Sequence, residues 1–185
     1  SSDLIAQAGN IAVGLAAVAV GSTNGASGVL FFLGTYAATN IGAFVVVSVV
    51  SERLGSEQIE DFAGLVKRAP IAAVVLSLCL VSLTGIPPTA GFIAKVYVFN
   101  SAVQAGERWL LALVALAVLN TAISAFYYLR WVRTMLLDDP KDMTPVRSPG
   151  GVQFVLAAAT FGVLFFGLDP SPLIHAAQDA AAALL

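Results

Sequence analysis

Gly85-Ile86-Pro87-Pro88-Thr89-Ala90-Gly91-Phe92-Ile93-Ala94-Lys95 lies between two long apolar runs. Lys95 is the only charged side chain between Pro70 and Gly106. The di-proline removes two N–H donors and interrupts any helix that enters it. Gly85 and Gly91 allow tight backbone paths on either side. A lysine at membrane depth costs roughly 2.5–3.5 kcal/mol on insertion scales, so it is rarely kept without a use. A broken helix followed by a buried cation is therefore the reading from which the rest of the chain is built.

The composition supports that depth. Of 185 residues, 58% are hydrophobic and 11% charged, with mean hydropathy +0.89. A soluble domain carries about 25% charge. Apolar segments run at about 4–20, 29–51, 70–103, 109–132 and 151–168. Several approach the ~20 residues that cross a ~30 Å hydrocarbon layer. Backbone groups in lipid must bond within their own segment, so helices are expected. The reading is an all-α polytopic membrane protein with about five transmembrane spans, one of them broken at Gly85–Pro88. A short helix is expected at about 171–185. The chain divides into a transmembrane helical domain, 1–168, and a short tail, 169–185.

Segment 70–103 poses the topological question. One straight helix of its 34 residues would be about 51 Å long. Two full spans would each be short. Loop charge arbitrates, because basic residues gather on the cytoplasmic side. Loop 21–28 has no basic residue, and loop 52–69 holds Arg53, Lys67 and Arg68. Loop 104–108 has only Arg108, region 130–147 holds Arg130, Arg133, Lys141 and Arg147, and the tail has none. A single broken crossing puts both basic loops on one side, the cytoplasmic one. The tail then lies on the outer side.

Other apolar segments carry polar residues at helical spacing. Asp3, Gln7 and Asn10 share one face of the first. Tyr36 and Asn40 are one turn apart in the second, with Thr35 and Thr39 alongside. Asn120, Ser124 and Tyr127 or Tyr128 repeat the pattern in segment 109–132. Polar stripes facing lipid are costly, so these faces should turn inward. Around one lysine they form a polar, hydrated track. As single stripes they also suit hydrogen bonding between helices.

Several classes are disfavoured. Net charge is −2 and the basic residues are scattered, unlike the clustered basic face of a nucleic-acid binder. Cys79 is the sole cysteine and lies in an apolar run, so neither a disulfide framework nor a thiolate metal site is expected. No His/Cys/carboxylate set has metal spacing. His175 reads as an interfacial or solvated side chain. Trp109 and Trp131 sit near segment ends, as an aromatic belt requires. No phosphate loop or nucleophile elbow is present. The start lacks Met and a basic leader, so it does not read as a signal peptide and suggests a piece of something longer.

The stretch Leu83-Thr84-Gly85-Ile86-Pro87-Pro88-Thr89-Ala90-Gly91-Phe92-Ile93-Ala94-Lys95-Val96-Tyr97-Val98-Phe99 resembles the broken helix of the antiporter-like membrane subunits of respiratory complex I. Asn40-Ile41-Gly42-Ala43-Phe44, Asp61-Phe62-Ala63-Gly64-Leu65 and Tyr127-Tyr128-Leu129-Arg130 support it in order and spacing, over about residues 1–170. Within that family the subunit N branch is the most similar, because a sister branch has glutamate where Lys95 stands.

The resemblance implies two inverted helix repeats and proton pumping through buried lysines and acids. Lys95 would be the lysine of the second half-channel, and the first half-channel would be missing from these residues. NADH, FMN, Fe–S clusters and quinone would belong to partner subunits, with no cofactor in this chain. Partners would be the other complex I membrane subunits, sister antiporter-like subunits and the lipid bilayer of a bacterial cytoplasmic membrane. Two positions depart from the family. Gln7 stands where members often have histidine, and Asn40 roughly where sister subunits can have lysine; neither amide can carry a proton charge. A subunit of a multisubunit cation/proton antiporter and a purely structural membrane module remain as alternatives.

Overall fold

Helices form where the apolar runs place them. In a computed structural model of the chain, residues 2–22, 24–140, 143–145 and 150–184 are described. The Asp3 side chain and the loop cations Lys141 and Arg147 lie outside the described residues. The helices are α1 (Ser2–Ala19), α2 (Gly25–Leu54), α3 (Leu65–Arg68), α4 (Pro70–Thr84), α5 (Ala90–Gln104), α6 (Arg108–Leu137), α7 (Gly150–Leu168) and α8 (Ser171–Leu184), with a short 3-10 turn at Ile59–Phe62. No strand occurs among the described residues.

Three helices are long and apolar enough to cross a membrane: α2, α6 and α7. The apolar parts of α1 and α4 are shorter. α4 and α5 are 15 residues each, about 22 Å apiece. Neither half is long enough to cross the ~30 Å layer alone.

The two halves follow one another along α2 with their adjoining ends overlapping, and both run antiparallel to it. Val46 and Val50 of α2 share a core with Ala72, Ala73 and Leu76 of α4. Thr39 then meets Ser82 near the end of α4. Ser27 meets Tyr97 of α5, and Ser22 meets Ser101. Segment 70–104 is thus one crossing in two pieces, as the loop charges require.

α7 and α8 follow α2 in the same broken manner. Gly42 abuts Ala159 and Cys79 where α2, α4 and α7 cross, and Gly34 abuts Leu173 of α8. Gly167, at the end of α7, packs directly on Pro88 and Thr89. Asp169 and Pro170 follow, and the Asp169 carboxylate accepts the Ser171 N–H at the start of α8. α8 spans Ser171–Leu184 and lies against α2 and α5, where Gln178 reaches the Tyr97 hydroxyl. The tail helix is therefore packed on the bundle wall, and its His175 is exposed.

α6 packs on α1 and α4 by one narrow face. Its other side exposes Leu116, Leu119, Ile123 and Phe126. The 52–69 end of the bundle is closed by a polar clamp. Gly64, at φ 62°, donates its N–H to the Thr134 carbonyl, which ties the 3-10 turn to α6. Phe62 meets Trp131 edge to face. Lys67 Nζ donates to Asp139 at 2.7 Å, and Arg68 Nε donates to the Thr144 carbonyl at 3.1 Å. The hydrogen bond and charge of Lys67 hold the Asp139 carboxyl below its ordinary value.

Candidate functional site

Segment 82–95 folds back upon itself at the break. Gly85 ends α4 in the left-handed region, φ 87°, and donates to the Val81 and Ser82 carbonyls. Pro87 and Pro88, joined by a cis bond, have no N–H to continue the ladder. Thr89 then starts α5, donating its hydroxyl to the Ile86 carbonyl at 2.7 Å. The two helix ends overlap side by side. A Cβ on Gly91 would collide with the Ser82 carbonyl, so only glycine fits there. The Gly91 N–H donates to Ser82 Oγ at 3.1 Å, which joins the first turn of α5 to the last turn of α4.

This overlap places Lys95 over the open end of α4. The last carbonyls of a helix have no partner within it, and they form the negative end of its dipole. Lys95 Nζ donates to the Leu83 carbonyl at 2.8 Å and to the Thr84 carbonyl at 3.0 Å. The residue is 7% exposed. Its stem packs beside Gly85. Lys95 therefore does not snorkel to a surface; its ammonium is held inside by backbone acceptors that the break set free.

Gln7 shares one of those acceptors. Its side-chain amide donates to the same Leu83 carbonyl at 3.0 Å, while its oxygen accepts from Asn10 at 3.2 Å. Thus α1 reaches the break through a two-amide chain that ends on the carbonyl holding Lys95.

A small cavity opens beside the lysine. Gln7, Thr35, Tyr36, Thr39, Ser82 and Lys95 line it, with Phe32 and Leu83 among the apolar walls. Its volume for water centres is about 10 Å³, close to what one water needs. Thr35 and Thr39 donate their hydroxyl protons to carbonyls of their own helix. Their remaining lone pairs are acceptors for the cavity. The buried Tyr36 hydroxyl and Asn10 oxygen have no partner among the described residues, and buried polar atoms are usually satisfied.

The other sequence candidates fall further away. Asn40 is half-buried one turn beyond Tyr36 and does not line the cavity. Asn120 faces Gly9 of α1, and Ser124 donates to the Asn120 carbonyl within α6. Tyr127 is 59% exposed, whereas Tyr128 is buried against α4 residues. Of that pair, the inward residue is Tyr128, because one residue turns a helix by about 100°. Pro87 and Pro88 are exposed on this chain. The sequence reading missed Ser82 and the two acceptor carbonyls. A serine three residues before the break was visible, but backbone acceptors have no sequence signature. Among the described residues, no group of three or more His, Cys, Asp or Glu side chains could hold a metal.

Comparison with known proteins gives a consistent family. Residues 4–121 match the family model described as NADH:quinone oxidoreductase/Mrp antiporter, transmembrane. A NADH-quinone oxidoreductase subunit N from Desulforamulus reducens is 40% identical over 98% of this chain and 37% of that relative. A subunit N 2 from Sorangium cellulosum is 44% identical over 84% of this chain and 31% of that relative. The chain thus spans about a third of the length of these relatives. Among solved structures, respiratory complex I from Thermus thermophilus with bound NADH has a similar chain, with TM-score 0.70, 25% identity, and coverage of 94% of this chain and 37% of that one. A chain of the Mrp complex from Dietzia shares the fold at TM-score 0.78, with 21% identity and coverage of 98% and 45%.

Proposed function

The chain belongs to the NADH:quinone oxidoreductase/Mrp antiporter transmembrane family, and on that premise we propose that it moves protons through Lys95 as part of a subunit N of NADH–quinone oxidoreductase. The observation that carries this reading is the Lys95 ammonium, buried on the Leu83 and Thr84 carbonyls at a helix break and bordering a polar cavity. A buried lysine is held by a balance between lost hydration and local acceptors. A shift in either tips it between NH3+ and NH2. At this break both can move. Rotation of α5 against α4 changes the number of carbonyls within reach, and one water entering the cavity changes hydration.

The redox chemistry, with NADH, FMN, Fe–S clusters and quinone, is assigned to partner subunits, and this chain would do the translocating. Its partners are the other membrane subunits of such a complex, in a bacterial cytoplasmic membrane. Within the chain, Lys95 is the proton carrier. Gln7, Thr35, Thr39 and Ser82 hold the water and carbonyls around it. Asn120, Ser124 and Asn40 lie further along any track.

The test is Lys95→Met in the whole complex. Protons moved per electron are expected to fall while NADH oxidation by an artificial acceptor persists. Normal pumping would end the proposal. Lys95→Arg should fail as well, because arginine does not give up its proton. Full tolerance of Lys95→Leu, in both assembly and pumping, would instead favour a structural module. Sodium-dependent transport without quinone-reductase subunits in the purified complex would favour the antiporter branch of the family.

A further inference from the structure

The two arginines at the clamp end of α6 lie outside the lysine site, and the geometry points to a binding site there for one aminophospholipid, the zwitterionic class in which a phosphate is followed by a primary ammonium. Arg130 and Arg133 are exposed and make no ion pair or hydrogen bond among the described residues. They stand one turn apart on one helix, about 4.5 Å in rise. Unpaired guanidiniums at a membrane boundary are strong bidentate receptors for phosphate oxygens.

What surrounds them defines the ligand. On one side is a groove of about 460 Å³, lined by Phe126, Leu129 and the two arginines. Phe126 and Leu129 belong to the exposed apolar face of α6, where acyl chain would lie. On the other side is a hollow of about 290 Å³, lined by the same arginines together with Glu60 and Asp138. Neither carboxylate has an ion-pair partner among the described residues. The chemistry therefore changes from an apolar wall, through the two arginines shared by both hollows, to the carboxylates of Glu60 and Asp138. From Arg133 to Asp138 the rise is about 7.5 Å, the scale of a lipid headgroup. A purely anionic headgroup would meet the arginines but be repelled by Glu60 and Asp138. A quaternary choline would bring charge to the carboxylates but no N–H donor. A primary ammonium beside a phosphate satisfies both pairs.

The experiment uses the purified whole complex in detergent and an acyl-photoreactive phosphatidylethanolamine. Cross-links are expected within residues 123–138. Unlabelled phosphatidylethanolamine should compete them away, and phosphatidylcholine or phosphatidylglycerol should compete about tenfold less well, as loss of one charge-assisted contact implies. Glu60→Gln with Asp138→Asn should abolish this headgroup preference while leaving cross-linking by an anionic probe intact. Arg130→Lys with Arg133→Lys keeps the loop charge that fixes orientation but should weaken competition by every phospholipid. Equal competition by all three lipids would overturn the site in favour of ordinary boundary lipid. Stronger competition by phosphatidylglycerol would overturn the headgroup assignment. Protection of 123–138 by a co-purifying subunit would show that protein covers this face, and would also overturn the proposal.

Discussion

At the residue scale, the Leu83 carbonyl is the hub. It accepts from both Lys95 and Gln7, so the two side chains are coupled through one oxygen. Gln7→Leu removes one donor to that oxygen and also orphans the Asn10 amide, which now donates to Gln7. Leaving a buried donor unpaired costs about 1–3 kcal/mol. The expected result is a complex destabilised by about 2 kcal/mol with Lys95 still anchored by two carbonyls. Gln7→Leu combined with Asn10→Leu should recover much of that loss, since no amide is then stranded. Thermal unfolding of the two variants compares them directly. If the double variant is less stable than the single one, the two amides do not form the chain described. Gln7 itself was legible from its helical spacing with Asn10. Its link to Lys95 was not, because residues 7 and 95 meet only once α1 and α5 have packed.

At the element scale, the break depends on two helix ends passing side by side. Gly91 permits this, because any Cβ there meets the Ser82 carbonyl. Gly91→Ala must push α5 away from α4, and overpacking of that kind costs about 1–3 kcal/mol. It should also lengthen the Gly91–Ser82 bond and carry the Lys95 stem away from the α4 carbonyls. The expected phenotype is an assembled complex of lower thermal stability with impaired pumping; wild-type stability and pumping together would contradict the overlap. Ser82→Ala offers a gentler probe, removing only the hydroxyl acceptor. The break was plain in the sequence, because prolines cannot continue a helix. That it forms one crossing in two halves followed from loop charge. The matching break between α7 and α8, packed on Pro88 through Gly167, was read in the sequence only as the start of a tail. Asp169-Pro170 marks a helix end, and a helix end alone does not say where the next helix will lie.

At the scale of the whole molecule, one end is pinned by charge and the long side is left bare. The Lys67–Asp139 bridge is exposed on both partners. Lys67 holds the Asp139 carboxyl below its ordinary 3.8, so the bridge favours the folded loop above that pH. The contribution is lost as pH falls through the depressed folded value. Exposed pairs contribute little. Lys67→Gln should therefore leave the melting temperature nearly unchanged and abolish only an acid-induced loosening at Asp138 and Asp139, read by amide hydrogen exchange. A large stability loss at neutral pH would mean that the pair does more than pin the loop. The bare side is α6, where Leu116, Leu119, Ile123 and Phe126 face outward. Such a contiguous apolar face requires lipid or protein against it.

The sequence by itself determined the class, the helices, the broken crossing and the singular lysine. These follow from local properties: apolar run length, proline geometry and the cost of charge in hydrocarbon. Tertiary structure decided what the lysine touches. Two carbonyls freed at the end of α4 hold it, Gln7 shares one of those carbonyls, and Ser82 lines the cavity beside it, only because α1, α2 and α5 pack around one break. Backbone acceptors are the same at every residue, so composition cannot reveal which of them a fold will leave open. Tertiary packing also decided between Tyr127 and Tyr128, since helical spacing defines a face but not the neighbour toward which that face turns.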